Sequence, residues 1–249
     1  MNTWTSRIIL MGIVFCAFWA GGASGATNAT PDGVDSRMGI PFPISAKSRE
    51  QIKSPLFSAI IDGDTIKAVE LIAKGADVNE KLEGSVTPLM IAASVGQTSV
   101  VQRLLLKGAD VTATNRQGRT ALMFAAVQGR APVVEMLVNG GSSVRTRDAK
   151  GCTPLILGVM SSDLKVVTIL ADAKSELNAQ VDTGMTALIW SASSGLDEIA
   201  TFLLSKQADP SIKNKRGLTA QDYARMSNNS SMQKRLKAAE ASWEKQIAR

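Results

Sequence analysis

The stretch Thr87–Gly96, TPLMIAASVG, decides the fold because it returns: TALMFAAVQG begins at Thr120 and TALIWSASSG at Thr186. Steps of 33 residues from Thr87 land on Thr120, Thr153, Thr186 and Thr219, and one step back lands on Ser54. The segments SPLFSAI, TPLMIAA, TALMFAA, TPLILGV, TALIWSA and TAQDYAR therefore align without a gap. A second set, Leu71, Leu104, Leu137, Leu170, Leu203 and Leu236, keeps the same interval. A phrase that recurs at a fixed period describes architecture rather than a single reaction centre.

Each position of the unit has a local physical reason. Ser or Thr at the start is a helix N-cap, and Pro55, Pro88 and Pro154 follow at the first helical position, where a missing N–H costs nothing. Small pairs such as Ala92-Ala93 and Ala125-Ala126 allow a neighbouring helix to approach closely. Gly63, Gly96, Gly129 and Gly195 then stop the short helix in the left-handed conformation. A second helix follows with apolar residues at i, i+3 and i+4, as in Val101, Leu104, Leu105 and Val134, Leu137, Val138. GADVN (Gly75–Asn79) and GADVT (Gly108–Thr112) end it, and a polar loop with Gly118, Gly151, Gly184 or Gly217 leads to the next Thr. Such a helix–turn–helix–loop unit cannot bury its apolar face alone, whereas a row of them can.

The pattern T-P-L-x-x-A-A-x-x-G followed by V-V-x-x-L-L-x-x-G-A-D-V resembles the ankyrin repeat, most completely over Thr87–Val111. The resemblance extends over about Gln51–Ile247. It implies an all-α solenoid of about six stacked helix pairs, starting near Ser54, Thr87, Thr120, Thr153, Thr186 and Thr219. It also implies loops projecting to one side and a concave face that binds another protein. The chain departs from the family in places. The family's usual His, three residues after the Thr, is replaced by Phe57, Met90, Met123, Ile156, Ile189 and Asp222, so apolar contact is expected where imidazole hydrogen bonds would run. The unit at Thr153 has Ser162 and Lys174 where glycines are expected, which reads either as drift or as a local kink that shapes the binding face. The last unit ends in a long polar helix, SMQKRLKAAEASWEKQIAR, expected to cap the stack with Leu236 inward, Trp243 packed back, and Lys234, Arg235 and Lys237 in water.

Residues 1–26 read as a cleaved export signal: Arg7, the apolar run Ile8–Ala20 and the small residues GGASGA. The run is short for a membrane span, and an uncleaved anchor is the other reading. Residues 27–50, with Pro31, Pro41 and Pro43, read as an irregular leader whose IPFP could cover the first repeat's edge, and residues 51–249 as the repeat domain. Cys16 leaves with the signal, so Cys152 stands alone and no internal disulfide can form. These features suit a periplasmic protein, or alternatively a secreted one with acceptor sites at Asn28 and Asn229. The mature chain is expected to be monomeric, without stable membrane insertion.

The 249 residues contain no His, which removes the commonest general base and metal ligand. No phosphate-binding or dinucleotide glycine motif and no C-x-x-C pair occurs. Ser162-x-x-Lys165 and Ser231-x-x-Lys234 fit a nucleophile pattern of acyl-transfer enzymes, but its companions S-D-N and K-T-G are missing. Neither enzyme activity, cofactor nor metal is expected, and a hydrolase built on Ser162 and Lys165 is the remote alternative. Cys152, beside the Thr153 cap, reads as a reachable thiol or as a bland loop residue.

The formal charge of +6 is modest, and without aromatic interleaving it does not point to nucleic acid. Its placement is more informative. Arg116, Arg119, Arg145, Arg147, Lys150, Lys213, Lys215 and Arg216 lie in the projecting segments, against Glu80, Glu83, Asp148 and Asp182. Such an edge favours an acidic, exported protein partner, or serves solubility alone. The expected role is to bind and support an exported enzyme, in stress defence, or, as the alternative, to inhibit a periplasmic toxin as an immunity protein.

Overall fold

The computed structural model describes residues 52–247. The expected export signal (1–26), leader (27–50) and IPFP cover lie outside these residues. The described part contains twelve α-helices in six pairs: α1 Pro55–Ile61 and α2 Thr65–Ala73; α3 Pro88–Val95 and α4 Thr98–Leu106; α5 Ala121–Val127 and α6 Ala131–Asn139; α7 Pro154–Met160 and α8 Leu164–Asp172; α9 Ala187–Ser193 and α10 Asp197–Ser205; α11 Ala220–Met226 and α12 Ser230–Ile247. Among the described residues there is no named strand, only an isolated bridge between Leu82 and Val86 around a short 3₁₀ turn at Glu83–Ser85. No helix there is long and apolar enough to cross a membrane.

The period seen in the sequence is the period of the caps. Ser54, Thr87, Thr120, Thr153, Thr186 and Thr219 each accept, at the side-chain oxygen, the backbone N–H three residues on, over 3.2 to 3.4 Å. Asp222, which departs most from the apolar pattern, completes a reciprocal capping box with Thr219. Its carboxyl is held below its ordinary range, first by the Thr219 backbone N–H.

Between the rows runs one continuous apolar core. Phe57, Met90, Met123, Ile156 and Ile189 are 0 to 1% exposed, so the place expected for a hydrogen-bonding ring is filled by hydrocarbon and sulfur. The Ala pairs are equally buried, and the first helices α3, α5, α7, α9 and α11 pack on one another more densely than the second helices do. The short first helices, with their small side chains, pack along one side of the stack, called the inner face below, and the second helices along the other. At the carboxyl end α12 caps it through Met232 and Leu236, both 0% exposed, while Lys234, Arg235 and Lys237 stand in solvent. Trp243 is half-buried.

The unit at Thr153 does not kink. Ser162 and Lys174 take φ of +60° and +62°, the same left-handed turn that Gly129 (+66°) and Gly141 (+88°) take one unit earlier. The helices keep their lengths of 7 and 9 residues. Repetition of the neighbours imposes the turn, and these side chains carry the strain that glycine would avoid.

Candidate functional site

The projecting loops form one ordered edge. Each passes a hydrogen bond to the loop before it: Arg116 N–H to Gly84 O, Ala149 N–H to Gln117 O, Asp182 N–H to Lys150 O and Lys215 N–H to Thr183 O, over 2.8 to 3.1 Å. Within a loop, Asn115, Asp148 or Asn214 accepts two backbone N–H groups at one side-chain oxygen and so holds the turn closed. Val181 stands at that position in the loop before Thr186. There Gln180 substitutes, its amide donating to Gly184 O and across to Lys213 O. At Gly184 (φ +79°) two loops approach closely, since a Cβ there would sit 2.6 Å from Lys215 N.

The edge sorts the eight basic residues expected from the sequence into different roles. Arg116, Arg145, Lys213, Lys215 and Arg216 are exposed. Arg147 is exposed but committed, donating to Glu176 at 2.8 Å and to Gln180 O at 3.2 Å. Arg147, Glu176 and Gln180, with Leu177, Asn178 and Ala179, line an open groove of about 520 Å³. Lys150 is half-buried in the same loop. Arg119 corrects the expectation: its side chain is 12% exposed and donates at 3.0 Å to Asp148, itself 2% exposed. It is a structural counter-ion between repeats, not an outward charge. Of the acids, Glu80 accepts the Ser54 hydroxyl at 2.5 Å, and Asp182 is exposed on its tip.

Cys152 also differs from the reachable-thiol reading. It is 5% exposed, and burial, reinforced by the nearby Asp148 carboxylate, pushes the thiol pKa up to about 12. The sulfur is thus protonated and covered at neutral pH, the opposite of a reactive cysteine. Ser162 and Lys165 are both exposed, and no hydrogen bond joins them. No group of three or more His, Cys, Asp or Glu among the described residues is placed to hold a metal ion.

An apolar part of the inner face was not singled out from sequence. Four residues after the capping Thr, Ile91, Phe124 and Leu157 are 0 to 2% exposed, whereas Trp190 and Tyr223 at the same register are half-buried. One helical turn further on, Ser94 and Val127 are covered, but Met160 and Ser193 are half-buried and Met226 is 37% exposed. The signal was present as two consecutive large amphipathic rings at a position otherwise held by Ile, Phe or Leu. The period hid it, because those rings align with core residues.

The family model described as "Ankyrin repeats (3 copies)" matches this chain over residues 56–148, 89–181 and 133–214. A search of curated proteins gave no match.

Proposed function

Because the chain belongs to the ankyrin-repeat family, whose stacks are generally non-catalytic modules that bind other proteins, we propose that it is exported to the periplasm and there binds an acidic protein along its loop edge and inner face. The observation that carries this reading is the edge itself: loop tips tied repeat to repeat, with Arg116, Arg145, Lys213, Lys215 and Arg216 directed to solvent. Preorganised cations on a rigid edge speed encounter with a negative surface and select against basic partners. The apolar run and small residues of 1–26 support export. In that compartment the partner is an exported enzyme that the stack supports, in stress defence.

The test is affinity capture from periplasmic extract by the wild-type chain and by a variant with Arg116, Lys213, Lys215 and Arg216 changed to Glu. Capture of one acidic protein by the wild type, lost in the variant and lost in high salt, is the expected outcome. Equal capture by both removes the loop edge from the reading. Activity of the captured protein then separates support from inhibition: a rise or longer lifetime on binding fits an accessory factor, and abolished activity fits an immunity-type inhibitor.

A further inference from the structure

The corner formed by the last two loops and helices α9 and α11 combines features that the rest of the edge keeps apart. Lys213, Lys215 and Arg216 stand exposed within four consecutive positions, and residues 213–217 contain no acid. Asp182 is exposed on the tip of the preceding loop, and Asp222 is occupied by the Thr219 cap and by Arg225 at 2.8 Å. At the base of the cationic loop the Asn214 side-chain amide donates to the Tyr223 hydroxyl at 3.0 Å, which pins the ring beneath these charges. Trp190 occupies the same register one repeat earlier. Met226 extends the apolar surface by one helical turn beyond Tyr223, since residues three apart share a helix face.

Trp190 adds a second observation. Its indole N–H is buried, and no acceptor among the described residues hydrogen-bonds to it. The half-buried ring therefore offers an incoming partner its carbon surface and not its N–H. Large amphipathic rings and methionines are the side chains that dominate binding at the centres of protein interfaces, with charged groups at the rim.

We propose that Trp190, Tyr223 and Met226, beside Lys213, Lys215 and Arg216, anchor an acidic segment of the partner protein that carries one large apolar side chain. This rests on the protein-binding reading above and adds the partner's local chemistry. The carboxylates of the segment meet the loop cations, and its apolar side chain covers the two rings. A single-stranded nucleic acid also combines negative charge with stacking surfaces. Met226, one turn from Tyr223, favours a flexible aliphatic or aromatic side chain over a stacked base.

The experiment uses the full chain with Trp4, Trp19 and Trp243 changed to Phe, so that Trp190 is the sole indole, and follows its fluorescence. The probes are a short Glu-rich peptide with one central Phe, the same peptide with Phe replaced by Ser, the same peptide with Glu replaced by Gln, and an oligo-dT of similar length. The Phe-containing acidic peptide should shift Trp190 emission saturably. Affinity should fall about tenfold or more when the Phe is removed, and again with Met226→Lys, or with Lys213, Lys215 and Arg216 changed to Glu. Far-UV circular dichroism confirms that the variants remain helical. The proposal is overturned if the Phe and Ser peptides bind alike, if none moves the emission, or if oligo-dT binds as tightly as the Phe peptide. Should the peptides fail while charge-dependent capture from the extract persists, the binding function stands and only this anchoring site is lost.

Discussion

Arg116 and Arg119 lie three positions apart in one loop, yet they belong to different parts of the protein's energetics. Arg119 neutralises Asp148, whose carboxylate is almost fully covered and also accepts the Lys150 and Cys152 amides. Removing the guanidinium leaves a buried charge, so Arg119→Ala should cost about 3 kcal/mol in urea unfolding. Arg116→Ala should change stability by no more than about 0.5 kcal/mol, since the residue is exposed. A similar loss for both would place Arg119 in solvent. Cys152 makes a prediction of opposite pH sense to acid denaturation. Its folded pKa is raised from 9.0 to about 12, so above pH 9 the unfolded chain gives up the thiol proton first. Its contribution is therefore undiminished below pH 9 and falls as pH rises towards 12. Comparing urea midpoints at about pH 8 and about pH 10.5 should show a steeper decline for wild type than for Cys152→Ala, by up to about 1.4 kcal/mol per pH unit.

At the level of helices and turns, the caps and left-handed stops were legible because each is chemically local: a hydroxyl reaches three residues along, and a glycine turns where it stands. What a substituted position does was not legible, because that depends on the neighbours. Ser162 and Lys174 left drift and a kink both open when read singly, and the adjoining pairs hold them at positive φ. Changing either to Gly should raise stability by about 0.5–1 kcal/mol without altering helix content, as measured by thermal unfolding and circular dichroism. A destabilised Ser162→Gly would mean that the side chain supports the turn rather than strains it. The loop edge was read less completely for a related reason. Residue type and spacing identified the loop cations, but the Arg119–Asp148 and Arg147–Glu176 pairs join residues 29 apart and form only when repeats stack. Trp190 and Tyr223 shared a register with core residues, so only their exposure marked them.

Across the whole molecule, stability is the sum of repeats and the contacts between nearest neighbours, and the ends need a face that tolerates water. Helix α12 supplies that face while burying Met232 and Leu236 completely. Leu236→Ala should therefore cost about 2–5 kcal/mol. Because the loss falls at one end, hydrogen exchange should quicken first in α11 and α12 and leave α3 to α6 protected; uniform loss across all six pairs would instead show a single cooperative block. The ladder of loop bonds has a mechanical consequence. Each tip is tied to the next by a backbone hydrogen bond of 2.8 to 3.1 Å, and the first helices pack on one another more densely than the second helices on the far side do. Under load, the tip edge resists stretching and the opposite side is the first to open or close. The stack thus bends as a laminate does, about its stiff layer: a partner lying along the loops meets a ruler of constant length, and accommodation to its shape comes from curvature.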